Sequence, residues 1–254
     1  MNKISKFINI ICNRYYRANL LKGVAAGVEH EAILSTLSCN TLVDIGANRG
    51  QFALVSRYCF PQARIFAFEP LLEPASLFRR IFEDDELTTL YPFAIGPRKE
   101  TTQIHISNRD DSSSLLPITP LQVALFSGTA EKNLATINVK PLSAKVTEEE
   151  LISTALLKLD VQGYELQVLK GCVDLLPFFN YIYVECSFVE LYLGQALADE
   201  VIAFLYEQNF RLNGIHNVSY DRTGKAVQAD FFFLACAKSK STSRTPDTNV
   251  IASG

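Results

Sequence analysis

Short apolar runs alternate with amphipathic segments through the middle of this chain, and that alternation restricts the fold more than any other feature. The runs Thr41–Ile45, Arg64–Phe68, Thr88–Ala94, Ala155–Val161 and Tyr181–Cys186 read as strands. Between them, helical periodicity marks segments near Gly50–Tyr58, Leu71–Phe82, Tyr164–Leu176 and Ala198–Gln208. Strands this apolar need cover on both faces, which predicts an α/β architecture with a mostly parallel sheet between helices. The stretches "FRLNGIHNVSYD" and "VQADFFFLACA", joined by "RTGK", predict a C-terminal hairpin that adds an antiparallel strand. Thr101 to Lys145 is the least regular part. It offers one candidate strand, "TQIHIS", a serine cluster, and a loop with Pro117 and Pro120.

A chain of 254 residues is most simply one domain. Its net charge of −3 leaves no electrostatic footprint for nucleic acid. Six cysteines without a C-x-x-C pair read as reduced core residues of a cytoplasmic protein. The first residues mix Lys3, Lys6, Arg14 and Arg17 with Phe7, Ile8, Ile10 and Ile11. That stretch is too short to span a bilayer. It suits either a helix packed on the domain or a basic amphipathic helix on a membrane surface. The polar, aperiodic end reads as a disordered tail. The expected organisation is a helical segment over 1–38, a ligand-binding domain over 39–238 and a tail over 239–254.

The run "TLVDIGANRGQF" passes from a strand through Gly46 and Gly50 into a helix start. In open parallel sheets, ligands sit beyond the carboxyl ends of the strands, and such turns seat nucleotides. Gly46 allows the sharp turn, and Gly50 lets the helix start approach the strand. Asp44 stands just before the glycines, where it disfavours a pyrophosphate. A cation reverses the sign. S-adenosylmethionine carries a sulfonium and an ammonium, has no phosphate, and presents a carboxylate to the loop N–H groups. Ala47 and Asn48 also break the three-glycine dinucleotide signature. The plain alternative is a strand–helix turn with Asp44 satisfied by backbone.

Three more acids stand at strand ends. Glu69, in "RIFAFEP", follows Gly50 by nineteen residues and is placed to accept from both ribose hydroxyls, with Pro70 opening the next helix. In "LLKLDVQGYELQVLKG", Asp160 ends a strand, Gly163 makes a turn, and Glu165 opens a helix on the face of Val168, Leu169 and Cys172. The bland reading pairs Lys158 with Asp160 and leaves Glu165 at a helix N-terminus, worth about 0.3–1 kcal/mol. Glu185, in "YIYVECS", is an acid inside an apolar strand, which needs a partner when buried. Gly171 implies close packing or an early helix end.

Taken together and in order, "VDIGANRGQFA", "FAFEP", "AIG", "SSSLL", "LLKLDVQGYELQVLKG" and "YVECSF" resemble the FkbM-type S-adenosylmethionine-dependent methyltransferases. The resemblance covers roughly Leu42 to Ala237. It implies a class I methyltransferase fold, a seven-stranded sheet with its last strand antiparallel, and O-methylation of sugars or natural-product hydroxyls. By position it puts Asp44, Gly46, Asn48 and Gly50 at the methionine end, Glu69 at the ribose and Asp160 near the sulfonium, with Ala47, Pro70 and Ala94 also among the cofactor-binding residues. One departure stands out: where the family has "T-L-D", this chain has "PLSA", with Ser143 replacing the acid.

Methyl transfer to a hydroxyl needs alignment and a proton acceptor. The candidates are Asp160, Glu165 and Glu185; His105 and His216 sit in polar stretches and read as surface residues. Ser113 and Ser114 are candidates for the acceptor pocket. No spacing demands a metal. The expected partner is a hydroxyl-bearing small molecule or glycan. Two rival readings are a nicotinamide-dependent oxidoreductase, disfavoured by Asp44 and the broken glycine signature, and a catalytically degenerate adenosine-binding protein, suggested by Ser143.

Overall fold

The computed structural model describes residues 3–151 and 154–236; the expected tail over 239–254 lies outside them. The first strands form where the apolar runs end in glycine or proline. β1 (Thr41–Ile45) and β2 (Arg64–Phe68) occupy the predicted residues. β3 (Thr88–Tyr91) is shorter than predicted, because Pro92 has no N–H to continue the ladder. Ala94–Ile95 form a separate strand, β4, in a second sheet.

That second sheet is the main departure from the sequence reading. The stretch expected to be irregular holds β5 (Glu100–Ser107) and β6 (Glu131–Lys140), an antiparallel pair, with β4 parallel to β6. Strands β7 (Ala155–Leu159), β8 (Tyr181–Ser187), β9 (Phe210–Tyr220) and β10 (Ala226–Ala235) complete the main sheet in the order β3-β2-β1-β7-β8-β10-β9. The pairs β1–β2, β1–β7, β2–β3 and β7–β8 are parallel. β10 runs antiparallel between β8 and β9, as the hairpin predicts.

Every residue of β1 and β7 is buried, the signature of a parallel sheet covered on both sides. On one face, Val43, Phe68, Leu157 and Val184 pack with Val168 and Leu169 of α7 (Glu165–Gly171) and Val201 and Leu205 of α8 (Ala198–Glu207). On the other, Leu42, Ile65, Leu156 and Tyr183 pack with Phe52 and Val55 of α4 (Gln51–Cys59) and Phe78 and Ile81 of α5 (Leu72–Ile81). α6 (Pro120–Leu125) lies between β5 and β6 in sequence. Helix α7 stops at Gly171, short of the predicted Leu176, and a Cβ there would overlap the Gly96 carbonyl. Close packing and an early helix end thus coincide at one glycine.

The N-terminal segment packs onto this second face. Ile10 of α1 (Lys3–Cys12), Tyr16 of α2 (Arg14–Leu21) and Leu34 of α3 (Glu31–Leu34) join its core. The Tyr16 hydroxyl donates to Glu31 at 3.0 Å. Ile4, Phe7 and Ile8, spaced along one side of α1, face outward. Among the described residues, no helix is long and apolar enough to cross a membrane. The six cysteines are free; Cys39, Cys172 and Cys186 are buried as expected, but Cys12 is exposed.

Candidate functional site

The carboxyl ends of β1, β2 and β7 open into one cavity of about 370 Å³, within the usual range for small-ligand sites. Gly46, Ala47 and Asn48 follow β1 and line it; Glu69 and Pro70 follow β2 and line it; Ala94, from the small sheet, closes the same side. Ser113 and Ser114 line it from the irregular segment, with Arg109 and Asp111 beside them. Asp160 enters after β7. Nine of the predicted residues therefore meet at one cavity, although they come from five separate stretches.

Glu69 is 5 % exposed and held from below. Its Oε2 accepts from the Asn48 N–H at 2.9 Å and its Oε1 from the Leu71 N–H at 2.8 Å. Each oxygen keeps a second lone pair, so the carboxylate can still accept from two hydroxyls. Burial pushes Glu69 up to about 7, against those two N–H bonds. Adenosine-ligand binding should therefore weaken as pH falls from 8 to 6, because protonation fills an acceptor position. Calorimetry with S-adenosylhomocysteine checks this: Glu69→Gln should flatten the pH dependence. Glu69→Ala should cost about 1.5–3 kcal/mol for each charged hydrogen bond lost.

Asp44 sits differently from the sequence expectation. It is fully buried, and the cavity wall passes over it. Its Oδ1 lies 3.0 Å from Lys158 Nζ, which also donates to the Gly46 carbonyl at 3.0 Å. Lys158 is 3.9 Å from Asp160, so the predicted Lys158–Asp160 pair is secondary to Lys158–Asp44. Burial opposes the ammonium, yet Asp44 and Asp160 together hold Lys158 above the ordinary lysine range. Gly50 is also off the cavity wall. Its φ of +93° starts α4, and its Cα side faces Ile81 and Phe78 of α5 rather than the strand.

Asp160 keeps a side chain 40 % exposed at the cavity. Gln162, held at a φ of +55°, donates to Asp160 at 2.7 Å and to Glu185 at 2.9 Å. Its side-chain oxygen Oε1 accepts from the Tyr192 hydroxyl at 2.7 Å. Glu185 and Glu165 do not line the cavity. Glu185 stands opposite Asp230 in the β8–β10 register, and burial, then Asp160 and Asp230, push it well above the carboxylate range. Glu165 accepts from the Val161 and Gly163 N–H groups at 3.2 and 3.1 Å. It braces the turn, and burial pushes it up to about 7. Ser114 donates to the Gln162 carbonyl at 2.6 Å, tying the serine segment to the same turn. Ser143 is exposed and off the cavity wall, so the departure from the family's acid does not touch the site. His105 makes a pair with Glu131 at 2.6 Å away from the cavity wall.

The cavity is also lined by residues that sequence reasoning missed: Lys6, Glu29, His30, Tyr183 and Asp230. Asp230 carried the signal that exposed Glu185, an acid in an apolar strand. His30 carried none, being a lone histidine outside every motif.

The donor set fits S-adenosylmethionine. Glu69 has two free acceptor positions that would suit ribose, Gly46–Asn48 would hold the methionine end, and Asp160 would face the sulfonium side. A seven-stranded sheet in this order, with its cavity at the strand ends and this acid after the second strand, defines a class I methyltransferase. The family described as "Methyltransferase FkbM domain" matches residues 44–212, and the chain belongs to it. It is an S-adenosylmethionine-dependent methyltransferase. It is 27 % identical over 190 residues to the 2-O-methyltransferase NoeI of Sinorhizobium fredii, covering 72 % of this chain and 78 % of that one. It is 30 % identical over 148 residues to the hexuronic acid methyltransferase AglP of Haloferax volcanii, covering 58 % and 55 %. The precorrin-6y C5,15-methyltransferase of Geobacter metallireducens superposes with a TM-score of 0.46 at 11 % identity, over 82 % of this chain and 88 % of that one.

Proposed function

We propose that this protein O-methylates a hydroxyl of a sugar, a glycolipid or polysaccharide, or a natural product. The observation that carries the proposal is the lining of the cavity: Glu69, after β2, suits adenosine, and the same cavity is also lined by Glu29 and His30 and by Tyr183 and Asp230 of β8 and β10, on the other side of β7. Those groups suit a polyhydroxylated acceptor. Two relatives named for 2-O-methylation and for a hexuronic acid support the same class. When bound, S-adenosylmethionine supplies an electrophilic methyl on a sulfonium, whose bonding electrons return to sulfur as a neutral thioether.

The chain's residues do the rest. Glu69 fixes the ribose, and Asp160 sets a negative charge where the sulfonium arrives. Asp160→Asn should raise the cofactor dissociation constant while leaving turnover at saturation within about tenfold, a split that separates cofactor binding from base catalysis. Incubation with labelled cofactor and glycan or glycolipid fractions should place label in a methyl ether. Binding of S-adenosylhomocysteine without transfer to any hydroxyl would favour the degenerate reading, and tight NAD binding the oxidoreductase.

The outward side of α1 suits contact with an anionic membrane surface, since Ile4, Phe7 and Ile8 are 72 %, 60 % and 53 % exposed and Arg14 and Arg17 are exposed nearby. The protein should pellet with anionic liposomes at low salt, and Ile4→Ser/Phe7→Ser/Ile8→Ser should not. Deleting residues 1–22 is the poorer test, because Ile10 and Tyr16 belong to the core. Equal pelleting of both proteins would remove the membrane contact.

A further inference from the structure

We infer that His30 is the general base of the transfer, taking the acceptor's hydroxyl proton on Nε2 while Tyr183 and Asp230 hold the ring through Nδ1. The inference rests on the hydroxyl-acceptor reading above. It concerns residues at 30 and 230, both outside the family match at 44–212.

Geometry sets the tautomer. His30 Nδ1 lies 3.1 Å from the Tyr183 hydroxyl and 3.5 Å from Asp230 Oδ2. Tyr183 donates its own proton to that Asp230 oxygen at 2.9 Å, and Asn217 donates to it at 2.8 Å. With its proton committed, the Tyr183 oxygen is an acceptor. Nδ1 therefore carries the hydrogen, and Nε2 carries the lone pair. Asn217 Nδ2 lies 3.3 Å from Nδ1, but its two hydrogens go to Asp230 Oδ2 at 2.8 Å and to the Tyr183 oxygen at 3.4 Å, which leaves Nδ1 to donate. The ring's hydrogen bonds among the described residues run through Nδ1. Phe52 and Tyr183 pack edge-on against the imidazole at 5.1 and 5.6 Å between centroids. The ring is thus fixed in orientation, 18 % exposed, and on the cavity wall.

The surroundings suit a base that is neutral at rest. Burial lowers the His30 pKa; Asp230, Glu29 and Asp160 oppose it, and Lys158 adds to it, for a net lowering. In the step, the acceptor O–H bond breaks and its electron pair forms the new O–C bond. The proton passes to Nε2, and the positive charge lost from the donor reappears on an imidazolium beside Asp230. The carboxylates expected from sequence are worse placed. Glu165 and Glu185 are off the wall, and Asp160 is engaged by Gln162 and faces Lys158.

Two measurements test this. The chain has three histidines, so carbon-13 histidine NMR of the protein alone resolves them. One, absent in His30→Gln, should titrate below the ordinary range, and Asp230→Asn should move it lower still. Single-turnover transfer to an acceptor that the wild type methylates should fall about 10²–10⁴-fold in His30→Gln. Its affinity for S-adenosylhomocysteine should stay within about twofold, and at cofactor concentrations that saturate throughout the pH range its acid limb should disappear. Asp230→Asn should shift the acid limb to lower pH and lower the plateau. A folded His30→Gln with wild-type turnover and pH profile overturns the base alone. A wild type that binds S-adenosylhomocysteine but methylates no hydroxyl overturns the function reading and the base with it. Should His30→Gln not fold, an unshifted acid limb in Asp230→Asn overturns the assignment.

Discussion

Lys158→Met should lower the unfolding free energy by about 3–5 kcal/mol, the usual cost of stranding one partner of a buried ion pair. Lys158 is 6 % exposed and Asp44 not at all. Removing the ammonium leaves a buried carboxylate at the centre of the sheet without its ion-pair partner, and it also strands the Gly46 carbonyl. The double variant Asp44→Leu/Lys158→Met should recover most of the loss, since apolar replacements of a buried pair are often close to neutral. Urea denaturation of the two variants measures both. A single variant within about 1 kcal/mol of wild type would mean that Asp44 is already protonated in the native protein, the direction in which its burial pushes it.

Gly46→Ala should both destabilise the fold and abolish cofactor binding. Gly46 has a φ of +74°, where an L side chain costs about 1–2 kcal/mol. Its Cβ would overlap the Asp160 carbonyl oxygen, which is backbone and cannot rotate away. Overpacking of this kind costs about 1–3 kcal/mol more. The ends of β1 and β7 would have to part, carrying Asn48 and Asp160 out of register. Thermal unfolding and calorimetry with S-adenosylhomocysteine report the two effects. Wild-type affinity in a folded Gly46→Ala protein would show that the β1 loop does not seat the cofactor.

Much of this was legible because parallel sheets write themselves plainly. β1 and β2 are apolar runs closed by glycine or proline, and their boundaries match the sequence reading. Glu69 and Asp160 were legible as acids at such ends. β6 was not, because most of its side chains are exposed even though it is the middle strand of the small sheet, so it carries no apolar run. Asp44 was read as facing the ligand, since sequence shows a charge but not the Lys158 that neutralises it. His30 was invisible because its meaning comes from Tyr183 and Asp230, 153 and 200 residues further along the chain. Asp230 was not: an acid followed by three phenylalanines carries the cue that flagged Glu185.

The insertion of β10 between β8 and β9 has a consequence for biosynthesis. As the chain emerges from the ribosome, β8 presents one paired edge to β7 and one bare edge. That bare edge stays open until residues 226–235 arrive, and β9, made earlier, has no strand of its own to join. Contacts this distant close slowly, and an apolar strand edge left waiting is a template for other chains. The nascent protein should depend on holding chaperones late in synthesis, and a nonsense codon before β10 should yield aggregate rather than a smaller folded product.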